Sequence, residues 1–196
     1  MGRYRGIKVQ PNASSINAGE TTPGKVTGME TYRIGKEFED QLKVAGSLYR
    51  MKHLAKFEKN EVPVIVKNGR PIYRQKKGFD FFGVISSMGG KCLVFEAKHI
   101  EKELRINKPA TGKDEGSGLQ AHQLLALLEY RAMNAEAFVL WSNERGVYRI
   151  DPGFLEKYVG YGHALSVAEA ELLAKSDHSI HVVRMRGGVM DFLELL

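Results

Sequence analysis

The sequence cannot cross-link itself: Cys92 is its single cysteine. That excludes an intrachain disulfide and any multi-cysteine zinc site, and it fits a reducing intracellular compartment. The thiol is expected to be a small buried hydrophobe. Long apolar runs are missing as well. No stretch approaches the roughly 20 residues of a membrane helix, and the opening MGRYRGIKVQPNASS lacks the apolar segment of a signal peptide. The expectation is a cytoplasmic protein with no membrane partner. Acidic charge is the scarcer sign, with 23 Asp and Glu against 29 Lys and Arg and a formal net charge of +6. This is a mild bias toward polyanions such as nucleic acid.

Large apolar side chains are sparse over residues 1–32, which are rich in Gly, Ser, Asn, Thr and Pro. Such a segment buries too little surface to offset the entropy of ordering, so a flexible basic arm is expected. Arg3 and Arg5, with Arg33 at its junction with the domain, are the candidate DNA contacts; the competing reading is a plain disordered tail. Residues 33–196 read as one domain. A helical stripe of Ile34, Phe38, Leu42, Ala45 and Tyr49 predicts an amphipathic helix from 34 to about 59, with Glu39 on its shoulder.

VPVIV reads as a strand, and residues 67–77 follow it with an Asn-Gly turn and five cations, Lys67, Arg70, Arg74, Lys76 and Lys77, and no acid. This is a basic hairpin or protrusion, read either as a phosphate contact or as a solvated turn. Residues 101–118 are a long polar loop. A helix from about Leu119 to Asn134 should bury Ala121, Leu124, Leu125, Leu128 and Ala132. AFVLWS and GVYRI are strands, the first apolar enough to be central. Short helices near Pro152–Tyr158 and Ser166–Lys175 come next, and HSIHVVRMR is a last strand candidate. The alternation predicts an α/β fold, a mixed central sheet flanked by helices.

The informative stretch is GFDFFGVISSMGGKCLVFEAKHI, two apolar strands that carry Asp80, Glu96 and Lys98. Glu96 and Lys98, two apart in a strand, project from one face about 7 Å from each other. A two-residue turn would pair Asp80 with His99, on the wrong face. A three-residue loop, Met88 to Gly90, sets Asp80 opposite Lys98 and on the same face as Glu96. Cooperation among the three therefore predicts a three-residue loop or a bulge. Two carboxylates facing one another in a partly buried setting repel, and a divalent cation removes the conflict. Hard oxygen ligands with open positions suit Mg²⁺, with Mn²⁺ as a substitute, and Lys98 would then orient water or stabilise charge on a reacting phosphate. The competing reading is a cross-strand salt bridge, an expensive choice inside CLVFEAK.

GFDFFG, FEAK and AHQ, together with GKEFED on the first helix, PVIV, AFVLW, VYRID and MDFL, resemble in order and spacing the PD-(D/E)XK nucleases, and among them the RecU-type Holliday junction resolvases. The likeness covers roughly residues 33–196. It implies a restriction-endonuclease-like core with a protruding stalk, metal ligation by Asp80, Glu96 and Gln123, a transition-state role for Lys98, and Glu39 completing an acidic pocket. The implied activity is Mg²⁺-dependent endonucleolytic resolution of four-way DNA junctions in DNA recombination and repair. A homodimer would make paired symmetric nicks, with other recombination proteins as possible partners. The alternatives are a nuclease of this type with a repair or restriction-like DNA substrate, and a non-catalytic junction-binding protein. Gly78 stands where the family often has a threonine, and the protrusion is shorter than the family's stalk.

Overall fold

The computed structural model describes residues 28–61, 64–67, 70–73, 78–107, 118–159 and 164–196. The first helix, α1 (Gly28–Met51), starts earlier than expected, so residues 28–32 belong to it rather than to an arm. Residues 1–27, with Arg3 and Arg5, lie outside the described residues. The helix also stops earlier, because His53 takes a left-handed φ of 56°, a conformation that ends helices. The segment that follows is a strand, β1 (Ala55–Lys59), where AKFEK switches to a period of two.

Next come β2 (Val64–Lys67) and β3 (Arg70–Tyr73), an antiparallel hairpin in which Lys67 opposes Arg70. The expected hairpin therefore exists as a backbone pairing that forms a sheet of its own. Arg74, Lys76 and Lys77 lie outside the described residues. The chain continues through β4 (Phe81–Ile85), β5 (Lys91–His99) and β6 (Glu103–Asn107). The last of these corrects the expectation of a polar loop over 101–118. Leu104 and Ile106 alternate inward, and the strand pairs with residues 119–120 and 164–166.

The short β7 (Leu119–Gln120) leads into α2 (Ala121–Ala132). β8 (Glu136–Asn143), β9 (Gly146–Ile150) and α3 (Pro152–Leu155) follow. β10 (Ala164–Ser166) opens α4 (Val167–Leu173), whose Glu169 N–H donates to the Ser166 hydroxyl at 3.2 Å, as the capping pair predicts. The last strand candidate splits into β11 (Ile180–Val182) and β12 (Arg184–Arg186), and β12 pairs with β13 (Val189–Asp191). Among the described residues no helix is long and apolar enough to cross a membrane.

The protein is a mixed α/β structure. Its central sheet has six strands in the order β1-β4-β5-β8-β9-β11, antiparallel except for the β5–β8 pair. β8 is interior, as its apolar run predicts. Two apolar clusters cover its faces. Phe38, Leu42, Ala45 and Tyr49 of α1 pack on Phe81, Leu93, Phe95 and Phe138, while Leu124 and Leu127 of α2 pack on Val94, Val139 and Trp141. The buried face of α2 is rotated from the expected one: Leu127 is buried and Leu125 exposed, because the helix starts at Ala121 with Gln123 turned inward. Cys92 is exposed, contrary to expectation. It alternates with the inward Leu93 at the beginning of β5, a part of the face that α2 does not cover.

On the α1 side the rings of Phe81, Phe95 and Phe138 stack across three adjacent strands with centroids 4.7 and 5.2 Å apart. Aromatic cross-strand neighbours of this kind add to area burial and fix register. Gly83 holds the β1–β4 pair close: a Cβ there would sit 2.0 Å from the Lys56 carbonyl oxygen and 2.6 Å from the Phe57 Cα. Gly83→Ala should therefore pry β1 from β4 and lose at least about 1 kcal/mol of stability, measured by denaturant unfolding. An unchanged midpoint would show that the two strands have room to spare.

Candidate active site

The register of β4 on β5 decides what faces what. Ile85 pairs with Lys91 and Phe81 with Phe95, so the connection runs from Ser86 to Gly90. It contains a 3-10 turn followed by Gly89 and Gly90 at φ 69° and 83°. This corrects the expected three-residue loop. The longer loop has the same parity, so Asp80 still comes to the face of Glu96, and it lies opposite Glu96 rather than Lys98. Asp80 precedes β4 and is held by its neighbours: its carbonyl accepts from the Asn60 N–H at 2.7 Å, and the Asn60 side-chain amide donates to the Phe79 carbonyl at 3.2 Å. Its carboxylate accepts from the Ala97 N–H at 3.4 Å.

Glu96 is completely buried. Its Oε1 receives two donors, Lys98 Nζ at 2.7 Å and Gln123 Nε2 at 2.5 Å. Among the described residues no donor reaches Oε2, whereas the Asp80 carboxylate lies within hydrogen-bonding reach of Glu96. Two carboxylates can share such a contact only through a proton. Burial first, and the Asp80 charge second, push the Glu96 carboxyl up to about 8 against the opposing pull of Lys98. Burial and the facing charge thus both favour the protonated form of Glu96.

Gln123 reaches Glu96 from the first turn of α2. Its Oε1 accepts from the Gln120 N–H at 3.0 Å, closing the N-terminus of the helix. The amide therefore has its nitrogen on Glu96 and its oxygen on the helix start. Ligation of a cation through that oxygen would require the amide to turn and leave the cap. His122 is half-buried beside it on the same turn. Gly78 lies against α2, where a Cβ would come within 2.6 Å of the Ala126 Cβ, so the helix leaves no room for a threonine at this position.

Asp80, Glu96, Lys98 and Gln123 are thus brought together, and Glu39 is not. It pairs with Lys59 at 2.5 Å and lines a cleft with Lys43, Ala97 and His99. Ala97 and His99 alternate with Glu96 and Lys98, so that cleft opens on the α1 side of β5. Arg33 is exposed, within 3.9 Å of Glu37. Lys67 and Arg70 are paired in the β2–β3 hairpin. Sequence reasoning missed His99, whose Nδ1 meets the Ser142 hydroxyl at 3.2 Å and whose imidazole pKa is lowered by burial. Its signal was its position in the same strand as Glu96.

No protein-family model matches the chain, and a search of curated proteins finds no match. The site has to be judged on its own chemistry. Among the described residues no three His, Cys, Asp or Glu side chains gather around one point. The acidic set is the facing pair alone, with one buried carboxylate oxygen lacking a donor. Such a pair fits a hard cation that keeps most of its shell in water and substrate oxygens, as Mg²⁺ does.

The proton on Glu96 makes stability depend on pH. A glutamate in the unfolded chain titrates near 4.5 and Glu96 in the folded chain near 8, so the folded state holds the extra proton between those values. Its contribution is complete below the lower value and is lost as pH rises through the upper one. Glu96→Gln, which keeps the shape and a donor toward Asp80, should flatten that decline. Thermal unfolding should show the variant gaining on the parent from pH 6 to pH 9; parallel profiles would place the proton elsewhere.

Proposed function

We propose that the protein is a metal-dependent endodeoxyribonuclease of the PD-(D/E)XK type that cuts branched DNA at four-way junctions. The observation that carries this reading is the Asp80–Glu96 pair, the half-buried Asp80 just before β4 facing the buried Glu96 of β5, with Lys98 on the same face. A structural ion pair needs one acid and one base. Here Lys98 is one base against two facing acids, and burial with the Asp80 charge opposes ionisation of Glu96, a conflict that a bound cation would relieve.

In this reading Asp80 and Glu96 hold Mg²⁺, with Mn²⁺ as a substitute. When bound, the cation supplies Lewis-acid polarisation of the scissile phosphate and a more acidic water. The residues do the rest by position. Gln123 fixes the Glu96 carboxyl against rotation. Lys98, whose side chain is 22% exposed, keeps donors to spare for a phosphate oxygen or the attacking water, and its charge opposes the negative charge that builds up during hydrolysis. Glu39 would act from the opposite side of β5, on the cleft it shares with Lys59 and His99. The β2–β3 hairpin is inserted in the chain between two strands that are neighbours in the sheet, β1 and β4. Its cations, with Arg33 and the N-terminal Arg3 and Arg5, would grip the DNA backbone. Two opposing nicks at one junction require two such centres related by a two-fold axis, hence a homodimer.

The deciding experiment is cleavage of a mobile four-way junction and of a linear duplex with the same arms, with and without Mg²⁺. Junction cleavage should dominate and require the metal. Equal rates would leave a nuclease of another DNA specificity, and no cleavage in Mg²⁺ or Mn²⁺ would leave a binding protein. Asp80→Asn should lower the rate by about a hundredfold or more while junction binding is kept or tightened.

Removing the charges of Lys67, Arg70, Arg74, Lys76 and Lys77 together should weaken junction binding. It should also flatten the salt dependence by roughly 0.9 in log–log slope for each phosphate that is no longer neutralised. A slope equal to that of the parent would assign the hairpin to solvent.

A further inference from the structure

A second polar recess lies at the end of the sheet away from Asp80 and Glu96, where β5 and β8 begin. It encloses about 340 Å³. Its walls come from distant parts of the chain: Lys91 opens β5, Glu136 opens β8, Arg149 is near the end of β9, Arg131 is in the last turn of α2, and His178 and His181 flank the start of β11. Lys91 and Glu96 are five residues apart on one extended strand, roughly 17 Å, so the recess is separate from the candidate active site.

The charges in this recess do not balance. Glu136 accepts from Lys91 Nζ on one oxygen at 2.7 Å and from Arg149 Nη2 on the other. One carboxylate thus serves two permanent cations. The second acid, Asp151, is committed to Arg131 at 2.7 Å and to the Gly153 N–H at 2.7 Å. One positive charge is left over. The two cations on Glu136 are not free in water: the Lys91 and Arg149 side chains are 29% and 22% exposed. Arg149 is also fixed in place, its guanidinium 4.4 Å from the centre of the Phe138 ring and donating to the Phe192 carbonyl at 3.3 Å. Excess positive charge held in a partly desolvated concavity attracts and retains an anion far better than the same charge on an open surface.

We propose that this recess binds a phosphate monoester, of nucleotide size or smaller, through Lys91, Arg149, Arg131 and His181. The inference does not depend on the nuclease reading. The donors approach from four separate elements, which suits a tetrahedral oxyanion better than a planar carboxylate. The volume is at the small end of ligand sites. The rim adds neutral hydrogen-bonding groups, Asn134, Ser179 and the His178 ring, where a ribose or base would lie. A terminal phosphate can enter a recess of this size, whereas the phosphates of a duplex are presented along a continuous ridge.

The full-length chain is titrated by calorimetry with inorganic phosphate, adenosine 5′-monophosphate and adenosine in low-salt buffer without other oxyanions. Phosphate and the nucleotide should bind and adenosine should not. Tighter binding of the nucleotide than of phosphate would assign the site to nucleotides, and equal binding to phosphate alone. Lys91→Gln combined with His181→Asn should weaken binding tenfold or more, while Asp80→Asn should leave it unchanged, which separates this site from the candidate active site. Should the double variant lose thermal stability, His181→Asn alone, at an exposed residue of edge strand β11, is expected to weaken binding severalfold with no change in unfolding. The proposal is overturned if neither phosphate nor the nucleotide binds, if adenosine binds as well as its monophosphate, or if the variants bind like the parent.

Discussion

The register between β4 and β5 is the constraint on which the site depends. Side chains alternate strictly along a strand, so a slip of one residue would turn Asp80 toward α1 and leave Glu96 buried without its opposite number. The Phe81–Phe95–Phe138 stack on the far face opposes such a slip, because Phe81 would then leave the α1 cluster for the α2 side. Gly83 and the Asn60–Asp80 contact hold the other edge of β4. The apolar face of the hairpin thus fixes a polar geometry on the reverse face. Three charges can be carried in so apolar a hairpin because the register is secured by residues that never touch them.

Much of the site was legible because it broke the local pattern. Charges at 80, 96 and 98 interrupt runs that would otherwise be continuous apolar strand, and parity arguments place them on one face whatever the loop, provided its length is odd. The loop length itself was not legible, because Ser86–Met88 forms a 3-10 turn where a tight hairpin with two glycines fits the same letters. The pattern also misled where one element gave way to another without a proline or glycine. AKFEK continues a helical composition but pairs as β1, and ELRIN looks polar yet alternates cleanly as β6. The exposure of Cys92 and Leu125 reflects where α2 sits: it leaves the start of β5 uncovered, and it turns Gln123, Leu124 and Leu127 inward so that Leu125 faces away from the sheet. That is a fact of layer placement, which no single segment encodes.

Gln123 joins two roles that are separable in principle. Its oxygen closes the start of α2 and its nitrogen holds Glu96, so the orientation of the buried carboxyl and the integrity of the helix start are one structural event. Any cation that drew the amide oxygen toward itself would loosen the first turn of α2. One that left the amide in place would find Glu96 already aligned and would only have to displace its proton, so its affinity would rise with pH.

The clasp made by Asn60 with Phe79 and Asp80 has a consequence for how this fold can vary. Everything between those residues leaves and re-enters the sheet at nearly the same point, so β1 and β4 remain neighbours whatever is strung between them. The interposed segment is a cassette. Exchanging it for a longer, shorter or differently charged one would leave the spacing of Asp80 and Glu96 untouched, so variation in that cassette is uncoupled from the geometry of the pair.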